Sequence, residues 1–327
     1  MSIFALALDN LLSPMVLFFA LGLAAALAKS DLTVPEAAAK LLALYLMMAI
    51  GFKGGAEIAR HGADGTLLAG LAAGVALSFG LPVIAYALLR AISRLSAVDA
   101  AAVAGHYGSI SIVTFVAATG ALTRLAMPYE GWLVAVAAAM ETPAILTALL
   151  LARRGSGGTA GKAGSEHGLF REVALNGSVV VLLGAFAIGI LTGEKGLATL
   201  KPFIIDPFAG FLCLFLLDMG LVAGRGLANG RRYLKPPVIA FGVLMPLIGG
   251  ASAAALSLAV GLSTGGTALF TVLGASASYI AVPAAMRLAL PEANPSIALT
   301  LSLGITFPFN LTAGIPLAIA VAQRIAT

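Results

Sequence analysis

Two pairs of serines, each pair separated by one residue, are the first positions in the sequence that could bind a small ion. Ser109 and Ser111 follow Gly108, and Ser276 and Ser278 lie in a similar Gly- and Ala-rich segment of the second half. Side chains two residues apart diverge on a helix but share one side of an extended chain. The hydroxyls of a pair can therefore serve one ligand only where the helix is broken.

A helix break inside a membrane leaves backbone N–H and C=O groups that lipid cannot satisfy, so it persists only beside a cavity or within protein. The helix that begins after the break presents a positive N-terminal end suited to an anion, and the carbonyl end before it suits a cation. The serine pairs thus predict a joint anion and cation site. The other interpretation is that small residues here only allow helices to pack closely.

One acidic residue, Glu141, lies well inside an apolar run, directly after the segment 133–140. A carboxylate at bilayer depth costs at least about 2.5–3.5 kcal/mol on insertion scales, which makes it a functional candidate. We expect Glu141 to coordinate a cation; a proton-coupled carboxyl and a carboxyl hydrogen-bonded to a neighbouring helix are the alternatives. Ser276, Thr306 and Asn310 would add the neutral oxygens that hard cations accept.

The elements that must position these residues are predicted from the apolar runs. Of the 327 residues, 60% are apolar and 10% are charged, whereas soluble domains average about 45–50% and 25%. With abundant Gly and Ala and few aromatic residues, this composition predicts an all-α integral membrane protein rather than a β-barrel. Ten transmembrane helices of roughly 20 residues each are predicted at 11–29, 35–51, 66–90, 98–121, 128–152, 171–192, 204–224, 236–260, 266–289 and 297–322.

Enzyme and nucleic-acid functions find no support in the sequence. It has no phosphate-binding loop, no zinc-protease motif and no nucleophile elbow, so we expect neither an enzyme nor a bound cofactor. The net charge of +5 comes from Lys and Arg in loops and at span ends. It is a topology signal and does not indicate nucleic-acid binding.

A polar, Gly-rich linker at 153–170 divides the chain into a first unit, 1–152, and a second unit, 171–327. Each unit contains five predicted spans, an odd number, so the two units must cross the membrane in opposite directions. Lys and Arg are more frequent on the linker side, which predicts a cytoplasmic linker and both termini outside.

Three short segments recur in order at an offset near 167 residues: 49–52 with 218–221, 109–111 with 276–278, and 141–143 with 306–308. The chain is therefore predicted to be an inverted repeat, a common arrangement of secondary transporters.

Three stretches of the sequence are specific enough to compare with a known family: 98–100 leading into 105–114, 129–132 through 140–144, and 275–278 through 291–296. They resemble the sodium-dependent bicarbonate transporter family, and the similarity runs along essentially the whole chain. The resemblance implies ten helices in two inverted five-helix repeats, with broken helices crossing at spans 4 and 9. It also implies that a core domain, spans 3–5 and 8–10, moves against a scaffold of spans 1–2 and 6–7.

The resemblance also assigns site residues by matched position. An anion and a coupling sodium ion, the one metal expected, would be surrounded by Ser109, Ser111, Thr114, Ser276 and Ser278, and Gly108 and Tyr279 complete the predicted anion site. The chain departs from the cyanobacterial members at Tyr279, where they have Asp, at Ala281, where they have Ser, and at 112–113, where they have Gly-Ser. Glu141 stands where they have Asp, so the acid is kept and lengthened.

The function that the resemblance implies is sodium-coupled symport of bicarbonate or a similarly small anion, by alternating access, in the cytoplasmic (inner) membrane of a bacterium. A proton-coupled carrier of another small carboxylate is one alternative, and a non-transporting membrane receptor or scaffold is another. The family further implies a homotrimer and a small cytoplasmic signalling protein that regulates it.

Overall fold

A computed structural model describes residues 8, 11–61, 65–155, 177–230, 234–279, 282–283, 286 and 290–326. Within these residues every regular element is a helix and there is no strand. Eight candidate spans in the described part are long and apolar enough to cross a membrane. The protein is therefore an all-α, multi-pass membrane protein, as the composition predicts.

The first half of the chain is built from seven helices and the second from seven more in the described residues. The first set is α1 (Pro14–Leu27), α2 (Glu36–His61), α3 (Gly65–Ile92), α4 (Ala97–Gly108), α5 (Ile112–Arg124), α6 (Leu133–Ala139) and α7 (Glu141–Gly155). The second set is α8 (Gly177–Ile204), α9 (Phe208–Gly230), α10 (Pro236–Val260), α11 (Thr264–Ala275), α12 (Pro295–Leu301), α13 (Phe307–Phe309) and α14 (Ile315–Ile325). Two π-helical turns, Ser302–Thr306 and Asn310–Gly314, flank α13.

One or more helices lie at each of the ten predicted spans, but at two of the spans the helix is shorter than a membrane span. Helices α4 and α5 form one candidate span, α6 and α7 another, and the run from α12 to α14 a third. The helices α1 and α11, where the first and ninth spans are predicted, are apolar but shorter than a full span. The ten-span topology stays a prediction.

Two boundaries differ from the sequence prediction. The second span is predicted to end at 51, but α2 continues to His61 and carries Lys53 and Glu57 on its last turns. Charged residues do not end a helix when neighbouring helices cover them, because the backbone hydrogen bonds continue regardless. The sixth span is predicted to end at 192, but α8 continues to Ile204 after a kink at Gly193, whose φ is 55°.

Capping residues set the ends of the helices around the centre of the molecule. The Ser96 hydroxyl accepts a hydrogen bond from Asp99 N–H at the start of α4, and the Ser263 hydroxyl accepts one from Gly266 N–H at the start of α11, both at 3.0 Å. Such caps satisfy N–H groups that have no partner within the helix. Gly261 ends α10 in the left-handed region with a φ of 77°, which favours glycine.

The helices pack in two groups. In one, α1 packs on α9 and α2 packs on α8, and a methyl group at Gly55 would lie 1.9 Å from the carbonyl oxygen of Phe186. In the other, α4 packs between α3 and α7, and α11 packs on α10 and α14. A methyl group at Gly249 would lie 2.0 Å from the carbonyl oxygen of Gly274. Small residues thus let the backbones touch in both groups, as is usual for membrane helices.

Candidate functional site

The first helix break lies between α4 and α5. Ser109 follows the last residue of α4 with an extended backbone, φ −90° and ψ 175°. Ser111 is the N-cap of α5, and its hydroxyl accepts a hydrogen bond from Thr114 N–H at 3.1 Å. The extended segment predicted from the serine spacing is therefore present, and it uses Ser111 to begin the next helix.

The second break follows α11. Ser276 has φ −87° and ψ 165°, and its hydroxyl donates to the carbonyl oxygen of Leu273 at 2.8 Å. The backbone stays non-helical from Ser276 to Tyr279. Ala281, where the sequence departs from the family, lies outside the described residues. Both predicted breaks are thus at the predicted serines.

The two breaks are joined to each other by hydrogen bonds. Ser278 N–H donates to the carbonyl oxygen of His106 at 2.8 Å, and Ser111 N–H donates to the hydroxyl of Ser276 at 3.0 Å. The Nδ1 of His106 lies 2.6 Å from the carbonyl oxygen of Ser278. Because a carbonyl oxygen only accepts, Nδ1 carries the proton and donates it. His106 therefore holds one break against the other through both its backbone and its ring.

Glu141 lies beside the first break. It begins α7, is 9% exposed, and accepts a hydrogen bond from the Ser109 hydroxyl at 2.7 Å. The junction before it is closed by Ser78, whose hydroxyl donates to the carbonyl oxygen of Met140 and accepts from Ala144 N–H at 3.1 Å. The acid thus sits at a helix discontinuity that a neighbouring helix stabilises.

The last span brings two further predicted oxygens to the same region. Thr306 ends the first π-helical turn, and its hydroxyl donates to the carbonyl oxygen of Gly242 at 2.7 Å. Since that proton is used, the Tyr107 hydroxyl must donate to Thr306 across their 2.6 Å contact. Asn310 begins the second π-helical turn, and its amide donates to the carbonyl oxygen of Ala275 at 2.7 Å. Irregular helical turns of this kind are frequent at functional sites.

Three buried side-chain oxygens lack a hydrogen-bond partner among the residues that the structure describes: Thr271 Oγ1, the Tyr279 hydroxyl and Asn310 Oδ1. The Tyr279 hydroxyl lies near Ser111, and its ring meets Phe307 edge-on at 5.5 Å. An unpartnered buried polar atom costs about 1–3 kcal/mol, so native proteins keep few of them. These oxygens are the best candidates to contact a ligand directly.

Comparison with protein families places the chain in a known group. The model of the Na+-dependent bicarbonate transporter superfamily matches residues 14–323. The chain belongs to this superfamily. No curated protein matches the sequence. Membership places the chain among membrane transporters rather than in an enzyme family, and it confirms the resemblance drawn from the sequence.

In this member of the Na+-dependent bicarbonate transporter superfamily, the predicted residues do not all meet one another. Ser109 contacts Glu141, and Ser111 contacts Ser276, whereas Ser278 contacts His106. Gly108 packs on α3, where a methyl group on it would lie 2.2 Å from Pro82. Its part in the site is to allow close packing beside the break.

Sequence reasoning missed two residues beside the candidate site. Ser78 bridges the α6–α7 junction, and nothing in its local sequence indicates that role. Thr271 lies one helical turn before Ala275, whose carbonyl oxygen Asn310 engages. A hydroxyl one turn before a predicted break could have been found from the helical spacing.

Proposed function

We propose that the chain is a sodium-coupled symporter of bicarbonate or a similarly small anion that works by alternating access. One observation carries the proposal: in a chain of this superfamily, two broken helices are hydrogen-bonded to each other beside the buried acid Glu141. A buried carboxylate requires a compensating positive charge or a proton. A cation that enters together with the anion provides that charge.

We propose ten spans in two inverted repeats. Equivalent structural details recur at a constant separation: the capping serines Ser96 and Ser263, and the extended serines Ser109 and Ser276, are each 167 residues apart. Each broken helix also packs closely on the preceding long helix, through Gly108 in the first half and Gly274 in the second. These recurrences support one ancestral unit in two orientations, with the short α1 and α11 counted as spans.

The domain arrangement follows from the same packing. We propose units at 1–152 and 171–327, joined by a cytoplasmic linker at 153–170, with both termini outside in the inner membrane of a bacterium. The group formed by α1, α2, α8 and α9 is the scaffold, and the group around α4 and α11 is the mobile core. The excess of Lys and Arg beside the linker supports this orientation.

Within the site, the anion is assigned to the helix that starts after each break. Ser111, Thr114, Ser278 and Tyr279 supply hydroxyl donors near the breaks, and the positive N-terminal end of a helix favours negative charge there. The sodium ion is assigned to Glu141, Ser276, Thr306 and Asn310, because carboxylate, hydroxyl and amide oxygens suit hard cations. Thr271 is added to this cation set on the evidence of its unpartnered oxygen.

Two partners are proposed from the family resemblance alone. One is a second and third copy of the chain in a homotrimer, and the other is a small cytoplasmic signalling protein. The large apolar side chains of α8 that face outward, among them Leu183, Ile188 and Leu191, suit either lipid or a neighbouring subunit. Molecular mass measured in native membranes or mild detergent decides the first proposal.

Uptake of labelled bicarbonate into proteoliposomes tests the function. An inward sodium gradient should drive accumulation, and replacing sodium with potassium should remove it. Competition by formate, acetate and nitrate then ranks the cargo by size and shape. Uptake that proceeds equally without sodium would overturn the coupling, and uptake of none of these anions would overturn the anion class.

A proton-coupled carrier is the second candidate, and one observation favours it. Tyr279 occupies a position that is acidic in cyanobacterial members, so the described site contains fewer charges to hold sodium. If protons replace sodium, uptake follows the pH gradient, ignores sodium and is lost in Glu141→Gln. The same proteoliposomes distinguish the two couplings when the two gradients are imposed separately.

A further inference from the structure

A cavity of about 580 Å³ lies between α2 and α9 on one side and α5, α6 and the loop before α6 on the other. It is separate from the hydrogen bonds that join the two breaks. In the proposed domain arrangement, α2 and α9 belong to the scaffold, and α5 and α6 belong to spans 4 and 5 of the core. A cavity at such a boundary is where a ligand can enter while two domains move.

The cavity contains an ammonium group on its α2 wall. The Nζ of Lys53 lies 5.3 Å from the centre of the Phe208 ring, a cation–π distance. The ion pairs Lys40–Glu36 and Arg60–Glu194 lie elsewhere on the surface, and within the described residues no carboxylate lies within ion-pair distance of Lys53. Its N–H donors are therefore available to a ligand in the cavity.

The other charged residue of the cavity wall is Glu57, one helical turn beyond Lys53. Glu57 packs against the loop, because a methyl group at Gly131 would lie 2.7 Å from its Cβ, and it lies near Tyr129. The two charges thus lie against different walls, Glu57 on the loop and Lys53 on α9. An anion can approach Lys53 from the α9 side.

A row of side chains on α5 connects the cavity with the break. Phe115, Thr119 and Thr123 line the cavity and follow one another at four-residue spacing, which places them on one face of the helix. Ser111 lies four residues before Phe115, on the same face. Phe115 is 2% exposed and stands between the cavity and the joined breaks.

We propose that this cavity is an entry vestibule that binds the transported anion at Lys53, and that Phe115 separates it from the joined breaks. The proposal rests on the proposed function for the identity of the anion, but not for the anion selectivity of the cavity. A small anion gains from the half-buried ammonium of Lys53, and the apolar residues of the wall strengthen that attraction by lowering the local dielectric.

Thiol labelling measures that selectivity without any transport. In a Cys213→Ala background, which removes the one cysteine of the chain, Thr123→Cys is labelled in purified protein by an anionic and by a cationic methanethiosulfonate of similar size. We expect Lys53→Met to lower the anionic-to-cationic rate ratio on the order of tenfold. Lys53→Arg should keep the ratio, and the matched control Lys40→Met, which alters an exposed lysine of the same helix, should leave it unchanged.

The outcomes separate this proposal from the proposed function. A ratio that Lys53→Met does not change, in protein that elutes as a single species like the parent, overturns the vestibule. A changed ratio in a chain that takes up no bicarbonate keeps the vestibule and overturns the cargo. If both hold, Lys53→Met should raise the half-saturating bicarbonate concentration and leave the maximal rate of uptake nearly intact.

The role of Phe115 has its own measurement. Thr114→Cys, beyond the ring, should label more slowly than Thr123→Cys, and Phe115→Ala should accelerate the slower site several-fold while leaving the faster site unchanged. Equal acceleration at both sites would show general loosening of the protein and would overturn the barrier.

Discussion

The break at Ser109 and the break at Ser276 both end a helix in an extended conformation, with ψ values of 175° and 165°. Their side chains have different partners. The Ser109 hydroxyl donates to the carboxyl group of Glu141, whereas the Ser276 hydroxyl donates to a backbone carbonyl and accepts from Ser111 N–H. The first break therefore contacts the buried acid, and the second provides the hydroxyl that links the two breaks.

Under the proposed function, this difference lets two similar breaks serve two unlike ligands. The position in the second half that corresponds to Glu141 is Thr306, whose neutral hydroxyl is hydrogen-bonded to the carbonyl oxygen of Gly242 and to the Tyr107 hydroxyl. One carboxylate beside the joined breaks fits the proposed pair of one cation and one anion. A second carboxylate at Thr306 would add a further buried charge to compensate.

The largest expected effect is that of Glu141→Gln. Removing the carboxylate removes the charged partner of Ser109 and the proposed cation ligand, so sodium-driven uptake should fall about 100-fold, the size of a lost charged hydrogen bond. The matched control is Glu36→Gln, which changes an exposed carboxylate paired with Lys40 and should transport normally. Sodium-driven uptake that survives in Glu141→Gln would place the cation elsewhere.

A smaller effect is expected from Ser109→Ala. The carboxylate remains but loses the donor that orients it, so the half-saturating sodium concentration should rise roughly tenfold. Ser252→Ala, which removes a hydroxyl bound to its own helix carbonyl of Ile248, is the control. Sodium titration of uptake measures both, and an unchanged sodium dependence in Ser109→Ala would contradict the asymmetry between the breaks.

Ser276→Ala should lower stability in addition to removing a proposed sodium ligand. It leaves Ser111 N–H without its acceptor, so the free energy of unfolding should fall by about 1–3 kcal/mol, seen as a lower thermal midpoint in detergent. Ser257→Ala is closely matched, because the Ser257 hydroxyl also donates to a carbonyl of its own helix but accepts nothing in the described contacts. Equal midpoints in the two variants would mean that the contact between the breaks adds no stability.

The smallest effect is expected from Tyr279→Phe. Its hydroxyl has no partner among the described residues, so its removal should leave the free energy of unfolding unchanged or raise it, and the thermal midpoint should not fall. If it contacts the anion, half-saturation should rise roughly threefold. Tyr107→Phe is the contrast, because it breaks the donation to Thr306 and should lower the midpoint. An unchanged anion affinity in Tyr279→Phe would remove Tyr279 from the site.

Much of the architecture could be predicted from the sequence because the bilayer restricts what an apolar chain can do. Apolar length predicts the positions of helices, and the serine pairs indicate where the predicted spans 4 and 9 break, since two hydroxyls at alternate positions cannot share a ligand on a helix. Helix ends were harder to predict: α2 continues past Lys53 and Glu57 because neighbouring elements cover these charges.

The sequence by itself determined that the protein lies in a membrane, which family it belongs to, and which serines and which buried acid are candidates to bind ions. These features depend on composition and on local spacing. The tertiary structure alone decided which serine meets Glu141, which serine joins the breaks, and that His106 donates to Ser278. Those pairings link residues 32 to 172 positions apart in the chain. Local spacing contains no information about such distant partners, because packing of the whole bundle brings them together.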